Sequence, residues 1–271
     1  MTELIMKNKG MKESCSLFTY ASIKKDLLHF IDEHPYTIIF SDQKSKNIVL
    51  KNMEKVILPL PLLEAIYHFH HTDFYTYRHF LLVCALSTLL AEQLISDPKK
   101  ISKEVIAGPT HDIGKLCVPL NILNKKSPLT VAEQAALKHH TLAGYILLSY
   151  YFKDARHFTS IVARDHHERK DGSGYPRGIK IDNPMVDIIM VSDIYDALIS
   201  QRPYRLESFQ NRTALEEIIW QANSGKIGIE AVQVLIAVNR INKPHYSECV
   251  LSDERRGSAP ANNVYGITDA E

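Results

Sequence analysis

The stretch Asp165–Pro176, DHHERKDGSGYP, decides how this chain is read. Two adjacent histidines, His166 and His167, precede an acidic–basic run, then Gly172 and Gly174, then a Tyr175-Pro176 step. Glycines at this density mark backbone that turns tightly or lies close to a ligand. Paired histidines just before such a loop suggest a metal site at the mouth of a pocket. HH pairs also occur on ordinary surfaces, so the weight of the reading comes from the histidines and aspartates elsewhere.

Moving outward, His79 opens a long apolar stretch, His111-Asp112 begin HDIGK (111–115), and His140 precedes a helical pattern carrying Gly144. Asp193 lies inside IIMVSDIYDAL (188–198). Each is flanked by Leu, Ile, Val or Ala and is expected to point into a bundle. Buried imidazoles and carboxylates are costly unless something satisfies them. Taken singly, His79 or His140 reads as an ordinary core histidine, and Asp193 as a polar residue bonded to backbone. Taken together, five histidines and two aspartates are more economically explained by shared metal ions. His68, His70 and His71 read instead as a solvated helix face. The mixed imidazole–carboxylate set suits iron, manganese, zinc or nickel rather than calcium or magnesium alone.

Composition narrows the class. The 271 residues are enough for one large domain or two unequal ones. Against 31 Asp+Glu, 32 Lys+Arg leave a net charge of +1, with no long basic run, which argues against a nucleic-acid polymer as partner. Cys15, Cys84, Cys117 and Cys249 are widely separated, which argues against a zinc ribbon or disulfide framework and suits a reducing cytoplasm. The apolar run near 80–91 is shorter than a bilayer span, and the N-terminus lacks a signal-peptide core, so a soluble cytoplasmic protein without a membrane partner is expected.

Residues 1–60 read as a small α+β module, regulatory or dimerising. Ser22–Glu33 has helical spacing; TIIF (37–40) and NIVL (47–50) flank the polar SDQKSK and read as a β-hairpin. Leu58-Pro59-Leu60-Pro61 reads as a stiff joint. Residues 61–240 are almost wholly helical in pattern, with candidates at 62–71, 74–96, 101–108, 111–117, 130–138, 140–151, 154–166, 184–200, 210–223 and 228–238. No βαβ alternation occurs, so the fold class is all-α apart from that module. Residues 241–271 read as a flexible tail.

HDIGK, His140-x-x-x-Gly144, HHERKDGSGYP and SDIYDALISQRPYR together resemble the HD-GYP domain, a branch of the HD phosphohydrolases that hydrolyses cyclic di-GMP. The similarity runs from about His79 to Arg205 and more weakly to about Val238. It implies a helical bundle with two divalent ions, iron or manganese first, zinc or nickel as alternatives. The ligands it implies are His79, His111, Asp112, His140, His166, His167 and Asp193, with Asp112 bridging. Two cations about 3.5–4 Å apart lower the pKa of a bridging water and neutralise phosphodiester oxygens, and the resulting hydroxide attacks phosphorus in line with the departing 3′ oxygen. Lys115 is implied as the group meeting developing charge. Arg202 and Arg205 resemble the phosphate and guanine contacts, and Tyr175 shapes the pocket wall. The glycine loop is also a place where a diguanylate cyclase could dock.

Some members hold a third metal through a Glu one turn before the first histidine; here that position is Tyr75, which implies two metals and a product stopping at linear pGpG. Asp187 stands where an Arg is common, Pro109-Thr110 replace apolar residues, and the segment 178–193 is about two residues short. The alternatives are hydrolysis of a related dinucleotide such as cyclic GMP-AMP, a module that senses cyclic di-GMP or docks a cyclase without turnover, and a general nucleotide phosphohydrolase.

Overall fold

The computed structural model describes residues 19–201 and 207–260, and every regular element among them is helical. In order these are α1 (Tyr20–Ile31), α2 (Tyr36–Ile39), α3 (Gln43–Met53), α4 (Leu60–Thr72), α5 (Phe74–Leu94) and α6 (Pro98–Glu104). Two 3-10 segments follow, Val105–Thr110 and Ile113–Cys117, then α7 (Leu120–Leu123), α8 (Val131–Lys138), α9 (His140–Phe152) and α10 (Phe158–Asp165). After the glycine loop come α11 (Pro184–Ile199), α12 (Asn211–Asn223) and α13 (Ile229–Val238).

The expected β-hairpin is corrected: TIIF falls on α2, and NIVL lies inside α3. The reason is the cap. Asp42 accepts from Ser45 N at 2.7 Å and from Ser45 Oγ at 2.8 Å, so SDQKSK starts a helix rather than turning a hairpin. Downstream, the buried positions Ser45, Val49, Asn52 and Met53 follow helical spacing, and the helix lays them against α5. The α+β module is therefore helical throughout its described part.

Helix α5 is the axis. Asp73 caps it through Thr76 N at 3.1 Å, and from Thr76 to Ala91 all but Arg78 are buried. Around it pack α3, α4, α11, α13 and the segment Val105–Thr110. At 21 residues it is long and apolar enough to cross a membrane, longer than the run visible in sequence, but 83% of its apolar window is buried inside the protein. Burial on all sides is what makes it apolar all round. Leu27, Ile31, Tyr36, Ile39 and Phe40 from α1 and α2 join the same core as α5 and α11.

Beyond α13 the chain makes one short 3-10 turn, Tyr246–Glu248, and is otherwise held by side-chain and backbone bonds. Cys249 is fully buried, its carbonyl accepts from Gln233 at 3.0 Å, and Gly257 N donates to Glu216 of α12 at 2.9 Å.

Candidate metal centre

Four helices and a 3-10 turn converge on one buried point. His79 comes from the second turn of α5; His111 and Asp112 come from the link between the two 3-10 segments; His140 is the first residue of α9. His166 and His167 follow α10, and Asp193 sits in the middle of α11. All are buried except His167, which is half-buried. Two groups that could hold a metal ion result: His79, His111 and Asp193, and Asp112, His140, His166 and His167. Within each, the ligand atoms lie within 4.8 Å of one another.

Close packing of glycine backbones brings these segments together. A Cβ on Gly114 of HDIGK would lie 1.9 Å from His140 O and 2.4 Å from Gly144 N. Only glycine at 114 lets the Asp112 turn rest directly on α9, which explains the pairing of HDIGK with His140-x-x-x-Gly144. Gly174 plays the same part in the loop: its Cβ would lie 2.4 Å from Glu168 Cα.

Asp112 stands between the two groups. Its Oδ2 lies 3.6 Å from His79 Nε2, 3.5 Å from His111 Nε2 and 2.6 Å from Lys115 Nζ. Its Oδ1 lies 3.0 Å from His140 Nε2 and 3.6 Å from His166 Nε2. Asp193 Oδ1 closes the first group at 3.2 Å from His79 Nε2.

The far side of each ring fixes its tautomer. His79 Nδ1 donates to Asp196 Oδ2 at 2.6 Å, His111 Nδ1 to Gly108 O at 2.7 Å, and His140 Nδ1 to Leu137 O at 2.6 Å. His166 Nδ1 donates to Ala163 O at 3.0 Å. Each oxygen can only accept, so Nδ1 carries a proton, and Nε2 is the atom each ring offers to a cation. His79 Nε2 and His111 Nε2 are then 3.2 Å apart, and His140 Nε2 and His166 Nε2 3.4 Å apart, so neither pair has room for a proton on both nitrogens. Asp112 Oδ1 is buried and accepts no hydrogen bond. Facing lone pairs and an orphaned carboxylate oxygen are the donor set a cation satisfies, and the residues fit metal ions.

Charge says the same. Burial opposes protonation of His79, but its bonds to Asp112, Asp193 and Asp196 outweigh that and push its pKa up to about 10. Burial pushes His111 down to about 3. Burial also opposes ionisation of Asp112 and Asp193, yet Lys115 beside the first and His79 beside the second hold both carboxyls well below the usual range. Buried carboxylates at this density call for positive charge.

The wall is the glycine loop. Tyr175 stacks on His167 with ring centroids 4.7 Å apart at 20°, and Lys138 Nζ lies 5.1 Å from the tyrosine centroid. Tyr75 stacks on His79, centroids 6.1 Å apart at 10°. Arg202 and Arg205 lie outside the described residues. Asp187 accepts from Lys170 Nζ at 3.1 Å and so ties the glycine loop to α11. His68 and His71 are exposed and His70 half-buried, away from the site.

Several residues escaped the sequence reading. Asp196 is fully buried on His79 although it lies one helical turn beyond Asp193, a spacing visible in SDIYDAL. Glu168, fully buried, accepts from Arg177 N at 2.7 Å and Ile179 N at 3.1 Å and holds the loop closed. Tyr36, distant in sequence, carried no signal.

The HD domain family model matches residues 52–230. A cyclic di-GMP phosphodiesterase of Thermotoga maritima is 34% identical over 175 residues, 64% of this chain and 46% of that protein. One of Pseudomonas aeruginosa is 40% identical over 139 residues, 49% of this chain and 33% of that protein. A 3'3'-cGAMP-specific phosphodiesterase of Vibrio cholerae is 36% identical, covering 48% and 30%. The chain thus spans less than half the length of these curated relatives. A solved HDG"Y"P protein of Bdellovibrio bacteriovorus shares the fold, with a TM-score of 0.51 at 23% identity, over 82% of this chain and 70% of that one. With the family model matched across the segments that build the site, the chain belongs to the HD domain family.

Proposed function

We propose that the chain is a metal-dependent phosphodiesterase that opens cyclic di-GMP to linear pGpG. His79, His111 and Asp193 would hold one divalent ion and His140, His166 and His167 a second, with Asp112 available to both; iron or manganese are the ions first expected. Such a pair supplies Lewis acidity at phosphorus and a water of lowered pKa. The observation that carries the reading is the convergence of four imidazole Nε2 atoms on the Asp112 carboxylate, His79 and His111 at Oδ2 and His140 and His166 at the orphaned Oδ1.

The chain's own residues do the rest. Lys115, whose ammonium lies 2.6 Å from Asp112 Oδ2, stands where it can meet a phosphate oxygen. Asp196 and the carbonyls of Gly108, Leu137 and Ala163 hold the imidazoles in position, which spares reorganisation during the reaction. Tyr175 and the glycine loop wall the pocket, and Arg202 and Arg205 receive phosphate and guanine. Tyr75, stacked on His79 where a third ion would need a carboxylate, supports a product that stops at pGpG. Docking of a diguanylate cyclase on the glycine loop rests on the resemblance, a homodimer on residues 1–60 read as a dimerising module, and residence in the cytoplasm on widely separated cysteines, of which Cys84, Cys117 and Cys249 are free.

The test is turnover of cyclic di-GMP by protein reconstituted anaerobically with iron or with manganese, followed by chromatography, with cyclic GMP-AMP in parallel because of the Vibrio cholerae relative. Accumulation of pGpG without GMP is expected. Metal-loaded protein that binds cyclic di-GMP and never cleaves it would replace the enzyme with a sensing or docking module.

A further inference from the structure

We infer that Tyr36 is a positioning residue for the metal centre, acting on His79 through Asp196. The inference rests on the metal-holding part of the proposed function and not on the substrate.

Tyr36 lies on α2, before the family-matched residues 52–230 and more than forty positions from His79. Its side chain is 1% exposed, and its hydroxyl donates to Asp196 Oδ1. Ser200 Oγ donates to the same oxygen at 3.1 Å, while Asp196 Oδ2 accepts His79 Nδ1 at 2.6 Å. The carboxylate is thus held at both ends, so the plane in which it receives the imidazole is fixed. His79 is the ligand most exposed to such control, since its outer partner is a side chain on another helix, whereas His111, His140 and His166 lean on backbone carbonyls. The acceptor behind a ligating histidine sets ring orientation and basicity, and its loss typically weakens metal binding 10–100-fold.

The tyrosine is itself located by its ring. It meets Tyr195 edge-on at 6.5 Å, and the Arg78 guanidinium lies 5.5 Å from its centroid. Arg78 in turn donates to Ser200 Oγ at 3.0 Å and to Glu33 Oε2 at 2.9 Å. The N-terminal helices therefore complete the His79 half of the centre, and the Asp112–His140–His166–His167 half has no contact of this kind among the described residues.

The test uses the full chain, stripped of metal and titrated with Mn²⁺. Tyr36→Phe keeps the ring and removes one donor. A tenfold or larger loss of affinity is expected at one of the two sites, with the other unchanged. In an Asp193→Ala background, where the His79 half is disabled, Tyr36→Phe should do nothing further. Asp196→Asn should mimic it, and the double variant should lose less than the two single losses combined. Unchanged Mn²⁺ affinity in Tyr36→Phe would overturn the inference. So would equal weakening of both sites with a lower melting temperature of the metal-free protein, which would mark general loosening. Wild-type protein that takes up no Mn²⁺ would instead remove the metal reading beneath it.

Discussion

Replacing Gly114 by alanine adds one methyl at the point where the Asp112 turn meets α9. The new carbon would lie 1.9 Å from His140 O and 2.4 Å from Gly144 N, where ordinary contact begins at 3.4 Å. Both opposing atoms are backbone, so no side chain can swing away, and the two segments must part by about 1.5 Å. Overpacking of this kind costs about 1–3 kcal/mol, and the upper end applies where backbone must move. At about 2–4 °C per kcal/mol, the melting temperature should fall by several degrees. The same movement separates Asp112 from His140, now 3.0 Å apart at their facing atoms, so the second ligand group should lose affinity as well. Thermal melts with and without Mn²⁺, paired with metal content after dialysis, read both effects. A Gly114→Ala protein that melts like wild type and keeps its full metal content would refute the packing argument.

Chelation should lower the melting temperature, because without cations the facing Nε2 lone pairs and Asp112 Oδ1 go unsatisfied; at free metal 100-fold above Kd the linkage is worth about 2.7 kcal/mol. A melt unaffected by chelator would contradict it. Asp42→Ala should destabilise by about 1 kcal/mol at neutral pH by removing the α3 cap. Burial raises the Asp42 carboxyl, but its bonds to Lys243 and Ser45 together outweigh that and hold it well below the usual 3.8. A carboxyl that titrates lower when folded contributes above its unfolded pKa and loses that contribution as pH falls through the folded one. The gap between wild type and Asp42→Ala should therefore close below about pH 4, and a constant gap in urea titrations would count against the cap.

The helices of residues 61–240 were legible because their apolar spacing is long and strong, and Pro98, Pro119 and Pro184 punctuate it. The gathering of His79, His111, His140 and His166 in the interior was legible because an imidazole set in an apolar run is carried into the core, where it must find a partner. The hairpin misreading at 37–50 came from two short β-branched runs. A four-residue apolar run fits strand or helix equally, and the Asp42–Ser45 cap, not the run, decides. Asp196 could have been found from its spacing to Asp193. Tyr36 could not: its role depends on α2 packing beside α11, a contact between residues 160 apart in sequence.

The most direct measurement is electron paramagnetic resonance of the protein loaded to saturation with Mn²⁺. Two ions sharing the Asp112 carboxylate should give a spin-coupled spectrum at about two ions per chain, and Asp112→Ala should abolish the coupling together with cyclic di-GMP hydrolysis. A single uncoupled Mn²⁺ signal, or coupling that survives in Asp112→Ala, would contradict a shared two-ion centre.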